Sequence, residues 1–339
     1  MSKMFDFDPA RYTSAYAEQG YIHIPKGLTE EFYGLLAGQV EDYIKSKPLK
    51  DFAIGDKQQA LYQLPDGPHY YRELIETVAA VCGLHPRDVV LSERHIKVYE
   101  PNAVPDPPAH KDRFASQIAV GFSVHVPEGS TLVFYPSDHL EINPFNSSTE
   151  LRASLSQDRV PETYLRSARR VEIHDSPRDV VMFRGNSIWH LRAKPAGTTM
   201  LYLKFNAWNC DPLGEDPLTP ERRDVTRRSL GLPDDELEDM VPLIGRRVDY
   251  IHRRYNRNWE EVIGIILWGK HHFTIDEQEL QILQAIDGRR TLRSVIDEVG
   301  CGPGAAACLE RARRLAAHGV IDMVQARHAA EPRRERQLV

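Results

Sequence analysis

Short β-rich runs dominate the middle of the chain, between residues 89 and 206. Each is bounded by Pro, Gly, Asp or Asn, and the clearest are VVLSERHIKVYE, SQIAVGFSVHV and TTMLYLKFNAW. Several short strands with turn residues between them are typical of a β-sandwich or barrel, not of a parallel sheet with crossover helices. We therefore predict a mainly β domain, interrupted between residues 138 and 171 by a long, partly helical insertion.

Helical periodicity flanks this β-rich region. Before it, the run TEEFYGLLAGQVEDYIKS repeats apolar residues at every third and fourth position, which predicts a helix. After it, the Pro-rich stretch CDPLGEDPLTPERR marks a domain boundary, and we expect ERRDVTRRSL and DELEDMVPLIGRRVDYIHRRY to be helical. The last part begins with strand-like EEVIGIILWGKHHFTID and continues as three short helices and a closing apolar run.

These changes of pattern divide the chain into four parts. Residues 1–210 form the β domain with its N-terminal helices, and residues 211–258 form a helical linker region. Residues 259–326 form a small C-terminal α/β module, and residues 327–339 form a charged tail. Strands followed by three short helices and a closing strand indicate that the module is winged-helix-like.

Composition and charge exclude several kinds of partner. The net charge is −6, and the chain from residue 221 on carries 20 Lys and Arg against 20 Asp and Glu, so no nucleic-acid partner is expected. The N-terminal MSKMFDFDPARY lacks the apolar core of a signal peptide, and the most apolar run, Val262 to Trp268, is too short to cross a membrane. The four cysteines form no CxxC pair, which argues against a zinc ribbon or a disulfide framework. We expect a cytoplasmic protein with no membrane partner.

Candidate metal ligands lie within the β-rich region. His110 and Asp112 are two residues apart, so in an extended segment their side chains point to the same face. His190 follows 78 residues after Asp112, just beyond the strand-like DVVMF, and a sheet folded back on itself can bring it alongside them. Two histidines and one carboxylate leave three coordination positions open, which is what non-haem iron(II) needs. The alternative is two loop residues and a hydrogen-bonded core histidine.

Three segments give the chain a family resemblance. With GYIHIP at residues 20–25, His110-Lys-Asp112 and the run from Asp179 to His190, residues 10–210 resemble the phytanoyl-CoA dioxygenase-like branch of the iron(II)/2-oxoglutarate oxygenases. The resemblance implies a double-stranded β-helix (jelly-roll) core. It also implies Fe(II), 2-oxoglutarate and dioxygen as cofactors, with ascorbate as reductant in vitro, and hydroxylation coupled to the conversion of 2-oxoglutarate to succinate. Because residue 112 is Asp, the carboxylate ligand is present, which disfavours a halogenase.

One departure from the family concerns the cation that binds 2-oxoglutarate. The family usually places an Arg ten or eleven residues after the second His, but here these positions are Met200 and Leu201. A carboxylate needs a cationic partner from elsewhere, and the candidates are Lys204 and Arg192, ranked equally, and then Lys97.

Further residues are candidates for the same pocket or for the substrate. Because alternate positions of jelly-roll strands face inward, Tyr99, Gln117 and Ser123 are candidates for lining the co-substrate pocket, and Thr198 is a further candidate for binding 2-oxoglutarate. Arg113 directly follows Asp112 and is a candidate for orienting it or a substrate. For each of these, a packing, turn or surface role is the alternative.

The substrate is open at this stage. The insertion at residues 138–171 should cover the mouth of the barrel and carries both Arg and acidic residues, so a small molecule, an amino acid or a peptide from specialised (natural-product) biosynthesis all fit. The C-terminal module resembles small winged-helix domains that bind peptides in peptide-modifying pathways, with packing or dimerisation as the alternative. We predict a hydroxylase. The competing class is a metal-binding jelly-roll regulatory protein, and desaturation or epoxidation are other outcomes at the same centre.

Overall fold

The computed structural model describes residues 2–46, 52–54, 57–104, 108–268, 271–300 and 304–325. The chain divides into two compact units, Met1–Trp208 and Asn209–Val339, called unit 1 and unit 2 below. The predicted charged tail, residues 327–339, lies outside the described residues. No helix in the described ranges is long and apolar enough to span a membrane.

Unit 1 contains five helices and ten strands within the described residues. The helices are α1 (Thr13–Gln19), α2 (Glu30–Ser46), α3 (Gly67–Cys82), α4 (Ser148–Ser154) and α5 (Pro161–Tyr164). The strands are β1 (Tyr21–Ile24), β2 (Phe52–Ile54), β3 (Lys57–Leu61), β4 (Val90–Tyr99), β5 (Ile118–His125), β6 (Thr131–Tyr135), β7 (Val171–Ile173), β8 (Val180–Phe183), β9 (Trp189–Ala193) and β10 (Thr199–Asn206).

The strands of unit 1 form two antiparallel sheets. The larger has the order β1-β8-β5-β10-β4-β3-β2, and the smaller has the order β7-β6-β9. From β4 onwards the chain alternates between them, with β5, β8 and β10 in the larger sheet and β6, β7 and β9 in the smaller one. Two sheets threaded in this way define a jelly roll, so the predicted core fold is confirmed for the described strands.

Alternation along the strands creates two apolar layers in unit 1. On β5, Ile118, Val120 and Phe122 face helices α2 and α3, where the Phe32 and Phe122 rings lie 6.2 Å apart. The intervening Ala119 packs between the sheets with Leu132, Ile173, Ile188 and other side chains of β6 and β8. The helices therefore cover the outer face of the larger sheet, and the inner face is left to line the barrel.

The predicted insertion is confirmed as partly helical, with α4 and α5 inside it. Ser147 caps α4 by accepting a hydrogen bond from the Glu150 N–H at 3.0 Å. Leu151 and Leu165 of the insertion pack with Trp189 of β9. The insertion is therefore held against the outer face of the strand that carries His190.

Unit 2 contains helices α6 (Leu218–Ser229), α7 (Asp234–Glu238), α8 (Glu277–Ala285), α9 (Leu292–Val299) and α10 (Ala305–Ala317). Its strands are β11 (Val241–Ile244), β12 (Val248–Tyr255), β13 (Glu261–Leu267), β14 (His271–Ile275) and β15 (Ile321–Val324). They form a sheet of order β12-β13-β14 and a separate pair β11-β15, all antiparallel.

The expectation that residues 241–255 are helical is wrong, because they form β11 and β12. Pro242 has no N–H to donate inside a helix. Gly245 lies against the backbone carbonyl of Gly319, where a Cβ does not fit. The cysteine spacing argued against a disulfide framework, and two of the thiols are free, but Cys308 is disulfide-bonded.

Candidate metal centre

The structure brings the three predicted ligands together at the junction of two strand-like segments. The His110 N–H donates to the His190 carbonyl at 3.0 Å, and the His190 N–H donates back to the His110 carbonyl at 2.9 Å. This antiparallel bridge extends the smaller sheet beyond β9 and sets the two imidazole rings 4.5 Å apart. One ligand atom each from His110, Asp112 and His190 lie within 4.8 Å of one another.

Hydrogen bonds fix the tautomers of both histidines. Nδ1 of His110 donates to the Pro108 carbonyl at 3.0 Å, and Nδ1 of His190 donates to the Ile188 carbonyl at 2.9 Å. A carbonyl only accepts, so the proton of each neutral ring is on Nδ1 and the lone pair is on Nε2. Each Nε2 lies 3.9 Å from an Asp112 carboxylate oxygen. The donor set fits a single metal ion.

The pKa values of the three groups keep them ready to bind a cation. Burial, and then the charge on His190, lower the pKa of His110 to about 3. Burial also lowers the pKa of His190. For Asp112, burial acts to raise the pKa, but Lys204 and the two imidazoles lower it to about 2. At neutral pH both rings are therefore neutral and the carboxylate is charged, which is the state that coordinates a metal.

The Asp112 carboxylate is placed by residues that the sequence analysis missed. The Asp112 N–H donates to the Gly185 carbonyl at 2.8 Å, and the Asn143 side-chain amide donates to the Asp112 carbonyl at 2.9 Å. A Cβ on Gly185 would lie 2.6 Å from the Asp112 carboxylate and 2.7 Å from the Ser116 carbonyl. Only glycine fits here. Its position in the turn two residues after the strand β8 was the one signal in the sequence.

The metal ligands line a cavity inside the barrel. Four of its lining residues are cations, and Asp112 is its single lining carboxylate within the described residues. The full lining is Lys57, Lys97, Tyr99, His110, Asp112, Leu132, His190, Arg192, Tyr202 and Lys204. Lys57 and Tyr202 were not predicted from the sequence, although Tyr202 shares a strand face with Lys204.

The three cations named as candidates for 2-oxoglutarate all line this cavity, each with a different partner. The ammonium group of Lys204 donates a hydrogen bond to the Asp112 carboxylate. Lys97 forms an ion pair with Glu93 at 3.5 Å, and its ammonium lies 5.4 Å from the centre of the Tyr202 ring. Arg192 is buried and forms an ion pair with Asp175 through both terminal nitrogens.

Tyr99 also lines the cavity, and burial raises the pKa of its hydroxyl, so it is a protonated donor at neutral pH. The other four candidate residues do not line it. The Thr198 hydroxyl bonds the Ser130 hydroxyl at 3.0 Å, and the Gln117 side-chain oxygen accepts the Ala207 N–H at 2.8 Å. Arg113 donates to Glu93 at 2.9 Å, and the Ser123 hydroxyl donates to Asp175 at 2.6 Å.

The chain matches no family profile and no curated protein sequence. Among solved structures it is similar to the non-haem α-ketoglutarate-dependent epimerase SnoN from nogalamycin biosynthesis, with 16% identity over 59% of this chain and 85% of that one, and a TM-score of 0.47. It is also similar to a Pseudomonas putida prolyl-4-hydroxylase, with 12% identity over 60% of this chain and 96% of that one, and a TM-score of 0.40. A third similar structure is HygX from Streptomyces hygroscopicus with nickel and 2-oxoglutarate bound. The identity is 11% over 59% of this chain and 88% of that one, and the TM-score is 0.41. At such identities and scores the similarity assigns neither a family nor an activity.

Proposed function

We propose that this chain is an iron(II)- and 2-oxoglutarate-dependent dioxygenase. The convergence of His110, Asp112 and His190 at the wall of a cation-lined cavity carries the proposal. Two imidazoles and one carboxylate leave three metal positions open, as non-haem iron(II) chemistry requires. Bound there, iron(II) would supply a centre at which 2-oxoglutarate, dioxygen and a substrate C–H bond are converted to succinate, carbon dioxide and the hydroxylated substrate.

The charge of the cavity supports an anionic co-substrate. 2-Oxoglutarate carries two carboxylates, and the cavity offers four cationic side chains against one lining carboxylate. Charges in a partly enclosed site interact more strongly than charges in water. Tyr99 adds a neutral hydroxyl that can donate to an anion. The cavity therefore complements a small dicarboxylate beside the metal.

The insertion and the metal segment are fastened to each other, which supports a role for the insertion in admitting the substrate. The ammonium group of Lys111, between the two ligands of the motif, donates to the Glu141 carbonyl at 2.7 Å. We propose a small-molecule, amino-acid or peptide substrate from natural-product biosynthesis, and membership of the phytanoyl-CoA dioxygenase-like branch. Hydroxylation of an unactivated C–H bond is the proposed outcome, and desaturation or epoxidation can start at the same centre.

Conversion of 2-oxoglutarate to succinate tests the proposal. The purified chain, supplied with iron(II), ascorbate, dioxygen and 2-oxoglutarate, is expected to release succinate. His110→Ala and His190→Ala are expected to abolish release, because each removes one metal ligand. His125→Ala, which changes an exposed histidine at the end of β5, is the matched control and should keep it.

The competing class is a regulatory jelly roll that binds a metal without turnover. Such a protein would bind iron(II) through the same three side chains and release no succinate under any substrate. Full succinate release from the His110→Ala variant would instead show that the metal site is wrongly assigned. Measuring bound metal and succinate on the same samples separates the two results.

For residues 259–326, within unit 2, we propose a winged-helix-like module that binds a peptide or protein partner. Helices α8, α9 and α10 follow the hairpin of β13 and β14, and β15 follows α10, which supports the proposal. Self-association is the alternative. Light scattering of the full chain tests this alternative. A dimer that dissociates when exposed residues of α9 are substituted would show that the module serves dimerisation.

A further inference from the structure

A buried arginine–aspartate pair lies inside the barrel, beyond the metal ligands. Nη1 and Nη2 of Arg192 donate to the two oxygens of Asp175, each at 2.9 Å, and both side chains are at most 3% exposed. The Ser123 hydroxyl donates to the same carboxylate at 2.6 Å. Burial acts to raise the pKa of Asp175, but Arg192 lowers it, so the carboxylate is charged. The guanidinium is thus fixed in position and orientation.

This fixed guanidinium lines the cavity and has donor capacity to spare. Arginine carries five N–H donors, and Asp175 takes two of them. Tyr202 also hydrogen-bonds the guanidinium, and the other contacts of its terminal nitrogens are long, 3.5 Å to the Ser130 hydroxyl and 3.7 Å to the sulfur of Met200. Nε is buried and has no hydrogen-bond partner among the described residues. A buried donor without a partner costs free energy unless a ligand satisfies it.

We infer that Arg192 holds the distal carboxylate of 2-oxoglutarate, with Asp175 as the residue that positions it. The inference rests on the proposed function. His190 and Arg192 are two residues apart on β9, so they share a face and are separated by about 6.6 Å along the strand. 2-Oxoglutarate has the same layout, with a metal-chelating keto acid at one end and a carboxylate two methylene groups away. A molecule chelated beside His190 therefore reaches Arg192 along the strand.

The other cations of the cavity are placed less well for this role. The ammonium group of Lys204 bonds the metal ligand Asp112, so it lies at the chelating end. Lys97 is ion-paired with Glu93 and stacks over Tyr202. Lys57 lies on β3, which β4 separates from β10. Arg192 lines the cavity, is locked in place by a carboxylate, and keeps an Nε donor without a partner among the described residues.

Equilibrium binding to the full chain loaded with Mn(II) tests the inference without turnover. Two probes are compared by calorimetry: 2-oxoglutarate and 2-oxopentanoate, which keeps the keto acid but ends in a methyl group. The wild-type chain is expected to prefer 2-oxoglutarate by about 10- to 100-fold, the range of a hydrogen bond to a charged group. Arg192→Met should remove this preference while 2-oxopentanoate binding stays unchanged. Lys45→Met, on the exposed end of α2, should keep it.

The two ligands together separate a binding role from a structural one. If Arg192→Met weakens both probes equally, or if Lys45→Met also removes the preference, the inference is overturned. Arg192→Lys keeps the charge and is expected to retain part of the preference for 2-oxoglutarate. This variant keeps the inference testable even if Arg192→Met unfolds. A wild-type chain that binds neither probe contradicts the proposed function itself, whereas a preference that survives in both Arg192 variants contradicts the inference alone.

Discussion

At the scale of single residues, the candidate metal centre is prepared before any metal binds. Two backbone carbonyls hold the Nδ1 protons of His110 and His190, which leaves the lone pair of each ring on Nε2, and the ligand atoms of His110, Asp112 and His190 lie within 4.8 Å of one another. Because both rings are buried, their charged forms are disfavoured. This preparation has a measurable consequence for the metal-free protein.

We predict that the metal-free protein loses stability as the pH falls from about 6.5 towards 3. The pKa of His110 is lowered to about 3 in the folded chain, so between these values the unfolded chain binds more protons at this residue. Stability then rises with pH across this window, and His190 adds in the same direction. Urea unfolding at a series of pH values measures it. His110→Gln should flatten the slope and His125→Gln should not; equal slopes in all three proteins would contradict the prediction.

Gly185 gives a second prediction at this scale. Gly185→Ala places a methyl group against the Asp112 carboxylate and the Ser116 carbonyl. We expect weaker metal binding and a loss of stability of about 1–3 kcal/mol, the usual cost of overpacking. Calorimetry with Mn(II) and urea unfolding measure the two effects. Gly34→Ala in α2, where the added methyl group meets open space, is the control. It should leave metal binding unchanged and add about 0.5–1 kcal/mol of stability.

At the scale of elements, the period-2 rule explains what the sequence could predict. It correctly placed His110 and Asp112 on one face and indicated the inward positions of β10. It could not find Lys57, because KQQAL has no apolar alternation, or Asp175, which lies in the turn after β7. Both depend on pairing between distant parts of the chain.

The error at β11 and β12 has a different cause. Leu237, Val241, Ile244, Val248 and Ile251 follow one another at intervals of four and three, which is the spacing of one helix face. Pro242 opposes a helix, and β11 pairs with β15 some 80 residues further on. Tertiary pairing overrides local periodicity here, and no local signal reports it.

The link between the insertion and the metal segment gives a prediction at this scale. Lys111→Met removes the hydrogen bond to the Glu141 carbonyl and the charge over the Trp189 ring, which lies 5.4 Å away. We expect faster hydrogen exchange in residues 139–147 and weaker coupling of succinate release to substrate. Mass spectrometry of exchanged peptides measures the first effect. Lys45→Met on the exposed end of α2 is the control, and unchanged exchange in the Lys111 variant would show that the insertion is held by other contacts.

At the scale of the whole molecule, each unit has its own apolar core. In unit 1 the cores lie on either side of the larger sheet, and in unit 2 a separate core joins α8, α9, α10 and the strands around them. All the residues of the candidate metal centre and its cavity belong to unit 1. A ligand that binds only the folded state stabilises the structure that holds it.

Mn(II) and 2-oxoglutarate should therefore protect unit 1 selectively. With ligand at about 100 times its Kd, the gain is about 2.7 kcal/mol, which slows exchange by about a hundredfold for amides that open only when unit 1 unfolds. Amides of β5 and β10 are expected to show it, and amides of β13 and α10 are not. Arg192→Met should reduce the gain from 2-oxoglutarate but not the gain from Mn(II), because the metal ligands are intact. Equal protection of both units would instead show that they unfold as one cooperative unit and would contradict the prediction.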